Sequence, residues 1–209
     1  MFKAIDVENW ERKSTFDLFK DYEDPFFNIT AMIDATSLYL FCKQNDVPFS
    51  LGVLFCSLET ANNIKEFRFR LHGGEPVEFK SVHANQTILN DDNTFSFCYF
   101  ERQPDIFEFA KAGKAAISKY KKLRSFEVES ERIDMIYYSV IPWVSFTSFK
   151  HARKTDNTET VPRIVFGKFI DDGAQKKMPV SVEVHHAMMD GYHVGRYFNE
   201  LQMRFDQPV

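Results

Sequence analysis

Within the stretch Val180-Ser181-Val182-Glu183-Val184-His185-His186-Ala187-Met188-Met189-Asp190-Gly191-Tyr192-His193, three histidines and one aspartate lie close together. Imidazole and carboxylate are the side chains that move protons or hold metal ions near neutral pH. If the segment up to His186 is a strand, Val180, Val182, Val184 and His186 point one way, and Ser181, Glu183 and His185 the other. His185, His186, Asp190 and His193 could in principle form a metal ligand set. Adjacent histidines on a strand face opposite sides, however, and do not readily share one ion, so no metal is expected. Two readings of the pair remain: imidazoles satisfied in a core, or a general base at a strand end, where a rigid element fixes the ring and the loop gives access. Asp190 suits the cap of a following helix, and Gly191 a turn or a close backbone approach.

The elements that position this stretch are read from changes of period. Ile29, Ala31 and Ile33 alternate with polar neighbours, which predicts a strand, and Asp34 then precedes a helix carrying Leu38, Phe41 and Cys42. Pro48 suits the first turn of a second helix with the stripe Leu51, Leu54, Phe55, Leu58 and Ile64. Phe67 to Leu71, the turn His72-Gly73-Gly74-Glu75 and the returning Val77 and Phe79 predict a hairpin. A further strand is expected over Thr94 to Tyr99, and an amphipathic helix through Ile106, Phe109, Ala110, Ile117 and Tyr120. Ser139 to Phe146 reads as extended and largely buried. Arg163 to Ile170 and Pro179 to His186 read as strands joined by a turn at Asp171, Asp172 and Gly173. A last helix carries Val194, Tyr197, Phe198, Leu201 and Phe205. Strands and helices intersperse without strict alternation, so the expected fold class is α/β (α+β): a two-layer sandwich with a large, mainly antiparallel mixed sheet. No Gly-rich phosphate loop is present.

The chain has 209 residues, 44% of them hydrophobic, enough for one substantial core and short for two, so residues 1–209 are read as a single domain. Its 23 phenylalanines exceed what such a core ordinarily needs and suggest a pocket or a subunit interface. A net charge of -4, with no basic run beyond Lys121-Lys122-Leu123-Arg124, argues against nucleic acid. The early charges at Lys3, Asp6 and Glu8 argue against a signal peptide, and no stretch approaches the roughly 18 apolar residues of a membrane span. Cys42, Cys56 and Cys98 lie far apart in apolar settings and suit reduced thiols in the cytoplasm.

The string from His185 to His193 resembles the signature of the chloramphenicol acetyltransferase family: His-His, three variable residues, Asp-Gly, aromatic, His. The His-His-x-x-x-Asp-Gly core also occurs in dihydrolipoyl acyltransferases and peptide-synthetase condensation domains, and the aromatic-His pair narrows the match. Asn9-Trp10-Glu11-Arg12 resembles the family's opening motif, and Thr94-Phe95-Ser96 its Thr-Phe-Ser strand. Tyr138 to Phe146 is similar to the segment carrying its active-site serine, and Lys168-Phe169 to its Lys-aromatic pair.

The resemblance implies a CoA-dependent acyltransferase fold and acetyl transfer from acetyl-CoA, as co-substrate, to a hydroxyl of chloramphenicol, the reaction that gives antibiotic resistance. It assigns His186 as a base acting directly on the acceptor hydroxyl, with no acyl-enzyme, and Ser139 as donor to the oxyanion. It pairs Asp190 with Arg12 as a buried brace. Lys168 is placed at the CoA 3′-phosphate, and Trp143 and Phe169 at the adenine or pantetheine. Family members are homotrimers with active sites between subunits. Glu183 stands where the signature usually has Gln, Tyr137 where a small polar residue is usual, and Glu23 and Asp24 where the antibiotic pocket would be apolar. The alternatives are therefore the same chemistry on another small hydroxylated metabolite or xenobiotic, or a non-catalytic acyl-CoA-binding trimer. A dihydrolipoyl acyltransferase would be expected to show a lipoyl domain and an Ala/Pro-rich linker, and neither is seen.

Overall fold

The computed structural model describes residues 1–123, 132–153 and 158–208. The segments are, in chain order, β1 (Phe2–Ala4), α1 (Lys13–Phe19), β2 (Phe26–Asp34), α2 (Thr36–Gln44), α3 (Phe49–Asn63), β3 (Phe69–His72), β4 (Glu75–Phe79), β5 (His83–Leu89), β6 (Phe95–Phe100), α4 (Ile106–Leu123), β7 (Met135–Ile141), β8 (Arg163–Gly167), β9 (Ile170–Asp172), β10 (Gln175–His185) and α5 (Gly191–Asp206). A seven-stranded sheet runs β2-β10-β8-β7-β5-β6, with β9 paired to β10. The β8-β7 and β7-β5 pairs are parallel and the rest antiparallel. A second, three-stranded sheet, β1-β4-β3, was not distinguished in the sequence reading. Arg124, the end of the basic run, lies outside the described residues.

Strand alternation divides the large sheet into two faces. Val180, Val182 and Val184 of β10, Ile164 and Phe166 of β8, and Ile136 and Tyr138 of β7 pack into the core beneath the helices. The buried helix α3 lies against α4 and α5. It is enclosed nearly all round from Leu51 to Ala61, a wider face than the predicted stripe. Residues of the opposite face line up in two rows across the strands. One row joins Tyr99, Asn85, Tyr137, Arg163, Glu183 and Asn28. The next contains Ser139, Val165, Ser181 and Thr30. No helix of the described residues covers these rows.

Several expected boundaries shift. β7 begins at Met135 and ends at Ile141, so the stretch to Phe146, expected to be extended and largely buried, leaves the sheet, and Trp143 within it is 63% exposed. β8 stops at Gly167 and β9 resumes at Ile170, instead of one strand from Arg163 to Ile170. The break falls where the chain is crowded: a Cβ at Gly167 would lie 2.5 Å from Pro179 Cγ and 2.9 Å from Phe146 Cε1. β5 was not foreseen. Phe67 and Arg68 belong to a 3-10 turn that precedes the hairpin.

Arg70 ties the small sheet to the large one. It is fully buried, and its guanidinium donates to the carbonyls of Ile133 (2.8 Å), Phe67 (2.9 Å), Phe69 (2.6 Å) and Met135 (2.5 Å). The start of β7, the strand that carries Ser139, is thereby fixed against β3.

Candidate active site

His186 sits one residue beyond β10, at the end of the apolar row formed by Val180, Val182 and Val184. Its ring stacks on Phe19 with centroids 4.0 Å apart and planes at 10°, and tilts against Phe27 at 4.7 Å. Two aromatic neighbours fix the plane while the side chain stays 33% exposed. The backbone is held as well: His186 N donates to Pro25 O at 2.8 Å, and its carbonyl accepts from Arg12 Nη2 at 3.3 Å. His185 lies apart from it, fully buried and edge-on to Phe26, so the two imidazoles occupy separate surroundings.

Arg12 and Asp190 meet. Arg12 Nη1 donates to Asp190 Oδ2 and Nη2 to Oδ1 at 3.1 Å, the bidentate geometry that suits guanidinium and carboxylate. Arg12 is only 6% exposed, so this carboxylate neutralises a nearly buried cation. The hydrogen bond from Arg12 holds the Asp190 carboxyl below the ordinary aspartate range, against the opposing effect of burial. Asp190 Oδ1 is 3.3 Å from His186 Nδ1, within electrostatic reach but not aligned as a hydrogen bond.

A further layer supports Asp190, of which the sequence showed only the helix-capping position. Asp190 occupies the N-cap position of α5, and its amide donates to His193 Nδ1 at 2.9 Å. An accepting Nδ1 places the ring proton on Nε2, which lies 3.5 Å from Glu66 Oε1. Glu66 is 3% exposed. Burial pushes His193 below the usual histidine value, with Glu66 opposing. Gly191 does not fulfil its predicted role: its φ is not in the left-handed region, and a Cβ there would meet nothing within 4 Å.

Ser139 is not beside His186 in the same chain. It pairs with Val165, which pairs with Ser181, so Ser139 and Ser181 are level across β7, β8 and β10. His186 lies five residues beyond Ser181. Two strand spacings across and five residues along put Ser139 and His186 about 19 Å apart. Ser139 instead lines a cavity of about 400 Å³ on the open face of the sheet, and its Oγ accepts from Thr87 at 3.5 Å. Lys168 and Phe169 line a different cavity of about 370 Å³, with Phe49, Val140, Pro142 and Met178. Phe169 is fixed edge-on to Tyr39 and Phe49.

Glu183 is 2% exposed and accepts from Arg153 Nε at 2.6 Å, while the Arg153 guanidinium lies 3.3 Å from the Phe26 ring centroid. The acidic residue that departs from the signature thus forms a buried ion pair. Asp24 pairs with Lys150 at 3.2 Å, and Glu23 is exposed.

A family model described as chloramphenicol acetyltransferase matches residues 1–202. Chloramphenicol acetyltransferase of Proteus mirabilis is 32% identical over 205 residues, covering 98% of this chain and 94% of the relative. That of Staphylococcus aureus is 30% identical over 210 residues, covering 99% and 97%. Among solved structures, a chloramphenicol acetyltransferase superposes with a TM-score of 0.88 at 23% identity, covering 99% of this chain and 100% of the other. The cubic core of the pyruvate dehydrogenase multienzyme complex superposes with a TM-score of 0.65 at 16% identity, covering 88% and 82%, a likeness of fold.

Proposed function

The chain belongs to the chloramphenicol acetyltransferase family, and from that premise we propose that it transfers an acetyl group from acetyl-CoA to a hydroxyl of chloramphenicol, with His186 as general base. The observation that carries the base assignment is the clamped ring: His186 is fixed between Phe19 and Phe27 and held through its backbone by Arg12, yet remains partly open to a ligand.

His186 takes the proton of the acceptor hydroxyl as its oxygen attacks the thioester carbonyl carbon. The Ser139 hydroxyl donates to the resulting oxyanion. Collapse breaks the carbon-sulfur bond, and the departing thiolate takes the proton from the imidazolium, leaving the acetyl ester and free CoA. Asp190 and Arg12 hold the His186 backbone in place and act through it. The cavity at Lys168 and Phe169 would receive CoA, with Lys168 meeting its 3′-phosphate and exposed Trp143 near the rim.

Ser139 and His186 of one chain are too far apart to act on one reacting carbon. This separation supports a homotrimer in which the histidine of one subunit faces the serine of its neighbour. We place the reaction in the cytoplasm, which supplies acetyl-CoA and suits the free, buried Cys42, Cys56 and Cys98. No helix of the described residues is long and apolar enough to cross a membrane.

Thiol release from acetyl-CoA with chloramphenicol is the test, on wild type and His186→Ala. Release that falls by about 10²- to 10⁴-fold in the variant is expected. Release that survives the substitution removes His186 from the mechanism. A second reading, the same transfer to a different hydroxylated molecule, is favoured by the polar side chains of Asn85, His151 and Arg163 set in the otherwise largely apolar lining of the Ser139 cavity.

A further inference from the structure

The first turn of α5 follows directly on Asp190 and is mostly open to solvent. Gly191 has nothing within 4 Å of where a Cβ would stand, and Tyr192 is 72% exposed. His193 is the first side chain of the helix to turn inward, and it meets the short 3-10 turn Lys65–Arg68 between α3 and β3. Four residues on, Tyr197 lies on the same helix face and stacks on Phe67 of that turn, with centroids 5.0 Å apart and planes at 27°. Tyr197 is also bonded to Ser57 Oγ at 2.5 Å. Two neighbouring residues, Glu66 and Phe67, thus contact positions 193 and 197 of α5, and only the Glu66 contact reaches the end that carries Asp190.

The Glu66 carboxylate has few other uses. Its Oε1 lies 3.5 Å from His193 Nε2 and 4.0 Å from Lys65 Nζ, and the Lys65 ammonium is itself committed to Glu11 at 2.5 Å. Oε2 is enclosed and has no hydrogen-bond partner among the described residues. Such a placement costs stability unless the carboxylate holds a donor. The His193 ring offers one. Its Nδ1 accepts from the Asp190 amide, so the proton stands on Nε2. Among the charged groups that bear on this ring, Arg12 and Arg196 cannot accept, and Asp190 is engaged on the Nδ1 side. Glu66 is left as the acceptor for Nε2–H.

We propose that Glu66 is a positioning residue for the base: through the His193 ring it fixes Asp190, and through Asp190 and Arg12 the backbone of His186. The proposal rests on the acetyl-transfer reading of His186 and deepens it. Glu66 touches no reacting atom, and its effect is geometric. Without an acceptor at Nε2 the ring is free to turn, the Asp190 amide loses its partner, and the contact of Arg12 with the His186 carbonyl is no longer held in place. A small displacement of a catalytic group lowers the rate about 10- to 100-fold while substrate binding is kept.

The test is thiol release from acetyl-CoA with chloramphenicol by Glu66→Leu, which fills the buried space without an acceptor, and by Glu66→Gln, which keeps one. The expected kcat is about 10- to 100-fold lower in Glu66→Leu, with both KM values within about twofold of wild type, and within about threefold of wild type in Glu66→Gln. In a His193→Leu background, Glu66→Leu should cost less than about twofold more, because its route to His186 is already cut. An unchanged kcat in Glu66→Leu overturns the proposal. So does an equal loss in Glu66→Gln, a loss carried by KM, or a loss that adds in full to that of His193→Leu. Glu66→Met makes the same comparison if Glu66→Leu does not fold. Amide hydrogen exchange over residues 187–193, followed by mass spectrometry, reads the chain of contacts without activity. Exchange at least about tenfold faster in Glu66→Leu, and near wild type in Glu66→Gln, is expected. Exchange that is unaltered in Glu66→Leu overturns the proposal. A wild type that turns over no acceptor, while the exchange contrast holds, sinks the transferase reading and leaves the link from Glu66 to Asp190 standing.

Discussion

Asp190 serves two partners at once, the guanidinium of Arg12 and, through its amide, the ring of His193. Asp190→Ala leaves a nearly buried Arg12 without its carboxylate, and a loss of about 2–3 kcal/mol is expected in urea unfolding. His193 adds a pH dependence of definite sign. Burial depresses its folded pKa, so the unfolded chain takes up that proton first, and stability falls as pH drops below the ordinary histidine value of about 6.5. His193→Gln should flatten this decline in urea midpoints measured from pH 7 downward. It should not abolish it, because His151 is depressed in the same sense. At this scale the sequence was informative where a motif spoke. His186, Asp190 and Arg12 were named through the resemblance to the family's motifs, and the structure brings them together. Glu66 and Asn85 were missed because each gains its meaning only from a residue distant in sequence, His193 for the first and the Ser139 cavity for the second.

Elements were legible where one face was apolar and the other polar. β2 and β10, α2, α4 and α5 follow their periodicity, and each was expected near its observed place. β5 was not, because Asn85, Gln86 and Thr87 set polar side chains on both of its faces and erase the alternation. The segment after Ile141 misled in the opposite way: its large apolar residues suggest burial, but the chain turns out of the sheet. Arg70 shows how one polar residue can join two sheets. Arg70→Leu would strand the carbonyls of Phe67, Phe69, Ile133 and Met135, and a loss of at least about 3 kcal/mol is expected. For a chain of this size that corresponds to a fall of about 6–12 °C in Tm by calorimetry.

For the whole molecule, the separation of Ser139 from His186 makes the assembly testable without a structure of it. His186→Ala and Ser139→Ala preparations are each expected to be nearly inactive. Unfolded together and refolded as mixed oligomers, they should regain activity, because some interfaces then join an intact histidine to an intact serine. Continued inactivity in verified mixed oligomers would place both groups in one chain and contradict the register. The phenylalanine surplus is partly explained at this scale: Phe95 lies on the Ser139 side of the sheet and is nearly half exposed, while ten others among the described residues are buried. The division of the sheet also bears on how such a protein diversifies. Alternate residues of the same strands serve two separate masters, one set packing beneath the helices and the other lining the Ser139 cavity or its surroundings. Replacements at the half-buried Thr87 or Tyr137 can therefore accumulate with little penalty to the interior, whereas Glu183 is held by its buried pair with Arg153. A lineage can drift from one acceptor to another on an inherited scaffold, one side chain at a time.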